Sequence, residues 1–266
     1  MSQVGFVGAG RMGAPMVRRL IEAGHEVSAL GRSVEKRRAV SELGAQPVTD
    51  LADVGADADV VVVCVFTDEQ VQQVCLESVL LSTMRPGAVL VVHTTGSPRT
   101  AESVAAEAGS HGVDVIDAPV SGGPHDIAAG QVTLFVGGPD DAVERARPVL
   151  ASYGDPILHV GAIGAGQGVK LVNNTLFAAQ IGLLHEAVRL GDRLGIDERR
   201  LLDAIDHGSA ASRAASIVGA RGSVDAFIDM VGEFVGKDVA VVRKTAAELG
   251  SDLGVLDDVI NAGFNG

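Results

Sequence analysis

Six residues near the N-terminus constrain this chain most. Gly8-Ala9-Gly10-Arg11-Met12-Gly13 follows a short apolar run, Val4-Gly5-Phe6-Val7, and precedes a stretch with helical spacing that reaches about Ala23 and stops at Gly24. A strand, a glycine turn and a helix in that order open a βαβ unit. In such a turn the first glycine permits the sharp bend, the second lets the backbone approach a bound group, and the third lets helix pack on strand. The helix start then offers open N–H groups and partial positive charge, which suits a pyrophosphate. The pattern alone is weak in a chain with 34 glycines. Its place between strand and helix gives it weight over a ligand-free glycine turn.

The next stretches repeat the alternation. Strands are predicted over 26–30, 59–66 (a continuous apolar run), 88–92 and 113–118, with two more over 131–136 and 157–160. Helices are predicted over 34–43, 68–81, 98–108 and 140–150. Strands alternating with short helices imply an α/β domain with a doubly wound, mostly parallel sheet. Composition changes near residue 161, where Gly161, Gly164, Gly166 and Gly168 cluster. A proline-free segment follows, and a long helix is predicted over about 166–194. Its apolar residues (Leu171, Val172, Leu176, Ile181, Leu183, Leu190 among them) lie around most of the circumference, which predicts a buried central helix. Only helices are predicted after it, over 198–205, 224–232, 237–249 and from 253. The expected domains are therefore 1–160 and an all-helical 161–266.

Charge excludes some functions. The chain carries 34 acidic and 21 basic residues, a net charge of −13. Nucleic-acid affinity rests largely on phosphate attraction, so such binding is not expected. Seven Phe, one Tyr and no Trp offer few stacking platforms for single strands. The longest aliphatic run, 60–66, is too short for a bilayer, and no export signal is evident at the start. Two cysteines, Cys64 and Cys75, make no disulfide framework. A cytoplasmic protein with no membrane partner is expected. Against this acidic background residues 1–40 hold seven bases and three acids, a local site for a small anion.

The end of the second strand should choose the cofactor. An acid there would bond a ribose 2′-hydroxyl, but the sequence has Gly31-Arg32-Ser33, with Lys36 and Arg37 one turn later. An arginine suits a 2′-phosphate, so NADP is expected ahead of NAD. The alternative is that these bases form a solvated helix face.

A candidate for acid–base chemistry is Lys170, one of only four lysines. It opens the long apolar helix with Asn174 at i+4 on the same face and Asn173 beside it. Buried amine and amide groups need partners or a cavity, so the alternative is a structural hydrogen-bond cluster. A second candidate is Asp117-Ala118-Pro119-Val120-Ser121-Gly122-Gly123, where a strand leaves the sheet. Backbone N–H groups around Gly122 and Gly123, with the Ser121 hydroxyl, can form a nest for a carboxylate.

Four segments in this order carry a family resemblance: Gly8 to Met16, Asp117 to Gly123, Gly166-Gln167-Gly168-Val169-Lys170-Leu171-Val172-Asn173-Asn174, and Lys237-Asp238. Together they span nearly the whole chain and resemble the β-hydroxyacid dehydrogenase family. That family includes 3-hydroxyisobutyrate dehydrogenases and semialdehyde reductases. The resemblance implies a Rossmann-type domain joined by a long helix to an all-α domain, in a homodimer or homotetramer built through the helical part. It implies that Gly8, Ala9, Gly10, Arg11, Met12, Gly13, Arg32 and Ser33 meet the cofactor, with Val65, Phe66, Thr67, Thr94 and Thr95 after two further strands. Ser121, Gly122 and Gly123 would hold a small substrate's carboxylate. Lys170 would be the general acid–base, Asn174 would orient the reacting oxygen, and Lys237 would reach nicotinamide and substrate. A free lysine titrates at about 10.4, so base function requires burial or a neighbouring cation such as Lys237 to favour the amine.

The sequence departs from the family pattern in two places. His93 stands where the family usually has Asp, and is expected to be a hydrogen-bonded histidine at a strand end. The chain also ends at Gly266, short of the family's usual last helical segment. Asn173 stands where 6-phosphogluconate dehydrogenases have His, which argues against a sugar phosphate. Two rivals share the architecture: an imine reductase, which typically lacks a lysine at position 170, and a non-catalytic NADP-binding protein. The histidines (His25, His93, His111, His125, His159, His185 and His207) show no ligand spacing, so no metal is expected.

Overall fold

The computed structural model describes residues 1–264. In chain order the first part runs β1 (Gln3–Val7), α1 (Gly13–Glu22), β2 (Glu26–Leu30), α2 (Val34–Glu42), β3 (Gln46–Val48), α3 (Leu51–Gly55), β4 (Val60–Val63), α4 (Asp68–Cys75), α5 (Leu80–Thr83), β5 (Val89–Val92) and α6 (Pro98–Gly109). It continues through β6 (Asp114–Asp117), β7 (Val120–Ser121), α7 (Pro124–Ala128), β8 (Val132–Gly137), α8 (Asp140–Leu150) and β9 (Gly154–Gly161). Then come helices alone: α9 (Ala165–Arg193), α10 (Glu198–Asp206), α11 (Arg213–Arg221), α12 (Val224–Glu248) and α13 (Val255–Phe264). None of the described helices is long and apolar enough to cross a membrane.

The sheet order is β3-β2-β1-β4-β5-β6-β8-β7, with β9 on β8. Neighbours from β3 to β6 are parallel, while β8 runs antiparallel to β6 and β7. Every residue of β4 and β5 is buried, because helices cover both faces of the sheet. One apolar layer gathers Phe6, Met16, Leu20, Ile116, Leu134 and Tyr153; the other gathers Val61, Val63, Leu80, Leu90 and Val104. The strand order reverses between β1 and β4. In open α/β sheets that reversal makes a crevice at the carboxyl ends of the strands, where ligands bind.

The chain divides into two compact units, Met1–Lys170 and the part from Leu171 onward. The first turn of α9 stays with the sheet in this division, because Gly164 N and Gln167 N donate to Asp117 at the end of β6. The second unit packs Ile181, Leu184, Leu202, Val218 and Phe227 into one core. Ala178, Ala179, Val239 and Ile260 form another.

Several predicted elements differ in detail. The strand over 59–66 stops at Val63, where the chain turns into the loop beside Gly8. The helix over 68–81 breaks in two at Ser78. Its hydroxyl donates to Val74 O at 2.6 Å and accepts from Leu80 N at 3.1 Å, replacing backbone partners. The helices over 224–232 and 237–249 are one element, α12, since Gly232 and Gly236 do not interrupt it. The expectation that α9 is a buried central helix needs correction. Leu171, Ile181 and Leu184 are buried, but Val172, Leu176, Leu183 and Leu190 are roughly half exposed or more, at 62%, 47%, 57% and 52%. The second unit's own helices cover only part of the apolar circumference.

Candidate active site

The glycine loop lies at the β1/β4 crevice and each glycine has its own reason. Gly8 has φ +99°, and a Cβ there would stand 2.1 Å from Cys64 O, so only glycine lets β1 and β4 end side by side. At Gly13 a Cβ would meet Gly8 O at 2.2 Å and the Phe6 ring at 2.8 Å. Around Gly10 the space is open to 4 Å. Ala9 and Met12 pack against the sheet core, Arg11 is exposed, and no side chain caps the first turn of α1. An open turn feeding an uncapped helix fits a pyrophosphate.

At the end of β2, Arg32 is exposed. Ser33 is committed to α2, its hydroxyl accepting from Lys36 N at 3.2 Å. Arg37 turns back, donating from Nη1 to Gly31 O at 3.3 Å. Arg32, and not an acid, thus follows β2, with Arg37 bonded back to the same strand end.

The loops after β4 and β5 are tied together. Thr94 Oγ1 accepts from Val65 N at 3.1 Å and donates to Val65 O at 3.0 Å. Phe66 is exposed, and its N–H donates to Gln70 Oε1 at 2.8 Å. Thr67 caps α4, accepting from Gln70 N at 3.3 Å. Thr95, half-buried, follows Thr94. Of the Thr pair, then, Thr94 braces the loop from beneath.

His93 is buried and joined to two elements. Nδ1 donates to Ala118 O at 2.5 Å, and Nε2 accepts from the Tyr153 hydroxyl at 2.8 Å. Ala118 O can only accept, which selects the neutral Nδ1–H tautomer. Burial pulls the His93 pKa down to about 4. The residue is a hydrogen-bonded strut, as expected.

Ser121 and Gly123 are half-buried and Gly122 exposed. Gly122 has φ +135°. The proposed nest is partly filled from within, because Gly123 N donates to Asp126 Oδ2 at 2.6 Å. Sequence reasoning gave Asp126 no part. His125 is exposed, its Nε2 3.3 Å from Asp126 Oδ1.

Lys170 is buried. It lies one turn after Gln167, whose amide is used at both ends. Oε1 accepts from Gly96 N at 2.9 Å and Nε2 donates to Thr94 O at 2.8 Å. Asp117, fully buried at the end of β6, accepts from Gly164 N at 2.7 Å and Gln167 N at 2.6 Å. Burial raises the Asp117 pKa to about 6 against the pull of those N–H groups.

The second unit carries its own polar cluster. Asn174 donates to Asp238 Oδ2, and Asn173 Nδ2 donates to Asn174 Oδ1 at 3.1 Å. Lys237 Nζ is 2.9 Å from Asp238 Oδ1. Asp238 thus holds both Asn174 and Lys237. The sequence showed it only as the neighbour of Lys237. Among the described residues, no three His, Cys, Asp or Glu side chains are grouped as a metal would require.

Comparison with known proteins agrees with this geometry. Residues 3–161 match the family described as the NAD binding domain of 6-phosphogluconate dehydrogenase. Residues 164–262 match the NAD-binding domain of NADP-dependent 3-hydroxyisobutyrate dehydrogenase. A probable 3-hydroxyisobutyrate dehydrogenase of Mycobacterium tuberculosis is 37% identical over 205 residues, 77% of this chain and 69% of that protein. An NAD-dependent L-serine dehydrogenase of Pseudomonas aeruginosa is 33% identical over 82% of this chain and 73% of its own. The structure of M. tuberculosis 3-hydroxyisobutyrate dehydrogenase with L-serine superposes with a TM-score of 0.89 at 30% identity, covering 98% of this chain and 92% of that one. With a Rossmann-type sheet, a helical second unit and both family matches, this chain belongs to the β-hydroxyacid dehydrogenase family.

Proposed function

We propose that the protein is an NADP-preferring oxidoreductase acting on a small β-hydroxy acid and the matching semialdehyde, with Lys170 as general acid–base. The observation that carries this reading is Lys170 itself. It is a buried lysine one turn beyond a helix start that is bonded to the carboxyl ends of β5 and β6, on a sheet whose β1/β4 crevice fits a dinucleotide. The nicotinamide, when bound, supplies or accepts the hydride.

The residues divide the remaining work. In the reducing direction Lys170, as ammonium, donates a hydrogen bond and then its proton to the carbonyl oxygen. In the oxidising direction the amine takes the hydroxyl proton. Ser121 and Gly122 bind the substrate carboxylate, with Gly123 joining once Asp126 turns away. Asn174 and Lys237, both held by Asp238, are the second unit's proposed contribution to substrate and cofactor binding. Fixing both ends of the substrate converts binding into rate. Arg32 takes the 2′-phosphate. L-Serine and 3-hydroxyisobutyrate are the first substrates to try, since the similar proteins carry those names. We read the enzyme as cytoplasmic and as a homo-oligomer joined through the helical unit.

The test is an absorbance assay of both hydroxy acids with NADP and NAD, and of small semialdehydes and a cyclic imine with the reduced cofactors. Lys170→Ala should abolish turnover while cofactor affinity stays within about twofold. Arg32→Ala should weaken NADPH roughly 10- to 100-fold, the range of a lost charged hydrogen bond, and leave NADH nearly unchanged. Equal loss for both cofactors would remove the 2′-phosphate assignment, and turnover of the imine alone would replace the hydroxy-acid reading.

A further inference from the structure

We propose that Asp117 and Gln167 are positioning residues that set the place of Lys170. The Asp117 carboxylate fixes the first turn of α9 to the end of β6. The Gln167 amide fixes the same turn to the Thr94-Thr95-Gly96 segment after β5. The proposal rests on the reading of Lys170 as the acid–base.

The sequence before α9 explains why a distant group is needed. A helix start has N–H groups without backbone partners, usually met by a local Ser, Thr, Asp or Asn. Here the approach is Val160-Gly161-Ala162-Ile163-Gly164, which has no such side chain. The cap comes instead from Asp117, 47 residues before Gly164. A carboxylate buried this fully is a costly cap, as its raised pKa records. A local serine would satisfy the same N–H groups with less desolvation. What the distant cap adds is register between β6 and α9.

Two further features set the same register. Gln167 is 2% exposed, and both ends of its amide are bonded across the loop after β5. Thr94, which accepts one of those bonds at its carbonyl, braces Val65 on the loop after β4. The contact is also closed sterically. A Cβ at Gly166 would stand 2.4 Å from Phe135 O and 2.8 Å from Asp117 Oδ2, and one at Gly137 would stand 2.5 Å from Asp117 Oδ1. Backbone therefore lies directly against backbone, and Lys170 inherits its place from a turn held on two strands.

Hydrogen–deuterium exchange and steady-state kinetics on the full chain test this with two near-isosteric variants. Asp117→Asn keeps one acceptor and turns an NH₂ toward the other backbone N–H. Gln167→Met keeps length and loses both bonds. Asp117→Asn should speed exchange over 164–170 and also over 94–96. Gln167→Met should speed exchange over 94–96 and leave the Gly164 and Gln167 amides protected. In both, kcat should fall roughly 10- to 100-fold, as for a catalytic group misplaced by about 1 Å, while KM for the hydroxy acid stays within about threefold. Thermal melting checks the fold, and Gln167→Met carries the test if Asp117→Asn does not fold. Folded variants with kcat within about twofold of the parent, or exchange at 164–170 that leaves 94–96 unchanged in Asp117→Asn, would overturn the proposal. Turnover retained by Lys170→Ala would instead overturn the acid–base reading, and the exchange coupling would still decide whether the clamp exists.

Discussion

Asp126 bears directly on how the proposed nest would receive an acidic substrate. Its carboxylate bonds the Gly123 N–H that a bound carboxylate would use, and its side chain is 22% exposed. Two like charges at such a site repel by roughly 1 kcal/mol or more. Asp126→Asn should therefore lower KM for a hydroxy acid about three- to tenfold with little change in kcat. A KM that rises would place the substrate carboxylate elsewhere. His93 sets a different, pH-dependent behaviour. Its pKa falls from 6.5 to about 4 on folding, so the folded protein binds fewer protons than the unfolded chain between those values. Stability from His93 is lost as pH drops through that window. Asp117 acts in the opposite direction. Its pKa rises from 3.8 to about 6, so stability is lost as pH climbs through that range. Comparing the parent with His93→Gln isolates the histidine. The stability advantage of the parent should narrow by about 2 kcal/mol between pH 7 and pH 5 in urea unfolding, and a constant gap would show that His93 is not buried neutral.

At the scale of elements, local chemistry explains what could be read early. α1 and α2 stop at the glycines that mark them, β4 and β5 follow from continuous apolar runs, and β2 from alternation of Val27 and Ala29 with Glu26 and Ser28. The short β3, α3 and α7 were missed, because a few residues leave no period to count and Pro47 sits inside β3. The helix α11 was missed although both ends are marked: the Ser212 hydroxyl accepts from Ala215 N at 3.1 Å, and Gly222 closes the helix at φ +76°. Lys170, Ser121 and the glycine loop could be named from motif and order. Asp126, Gln167 and Asp238 could not be given roles, because each works through a partner chosen by folding. Gln167 meets Thr94, 73 residues away in sequence, and Asp238 meets Asn174, 64 residues away.

For the whole molecule, the second unit presents an exposed apolar stripe along α9. Val172, Leu176, Leu183 and Leu190 recur at intervals of four and seven along α9, and fall on one narrow exposed stripe. A stripe of that spacing suits a facing helix, and a second copy of the chain is the occupant that the proposed homo-oligomer supplies. Light scattering at micromolar concentration should find at least a dimer, and Leu176→Glu with Leu183→Glu should yield a monomer. A parent protein that is monomeric there would remove the proposed assembly. The alternating architecture of the sheet, the glycine turn and the lysine proposed as acid–base were all legible in the residues alone, because they depend on local periodicity and on motif order. Folding alone set how the start of α9 is capped, that Asp126 bonds the Gly123 N–H, and which face of α9 is exposed. Those outcomes depend on which distant strand ends converge and on how much apolar surface the remaining helices can cover, and neither is encoded in any one stretch of residues.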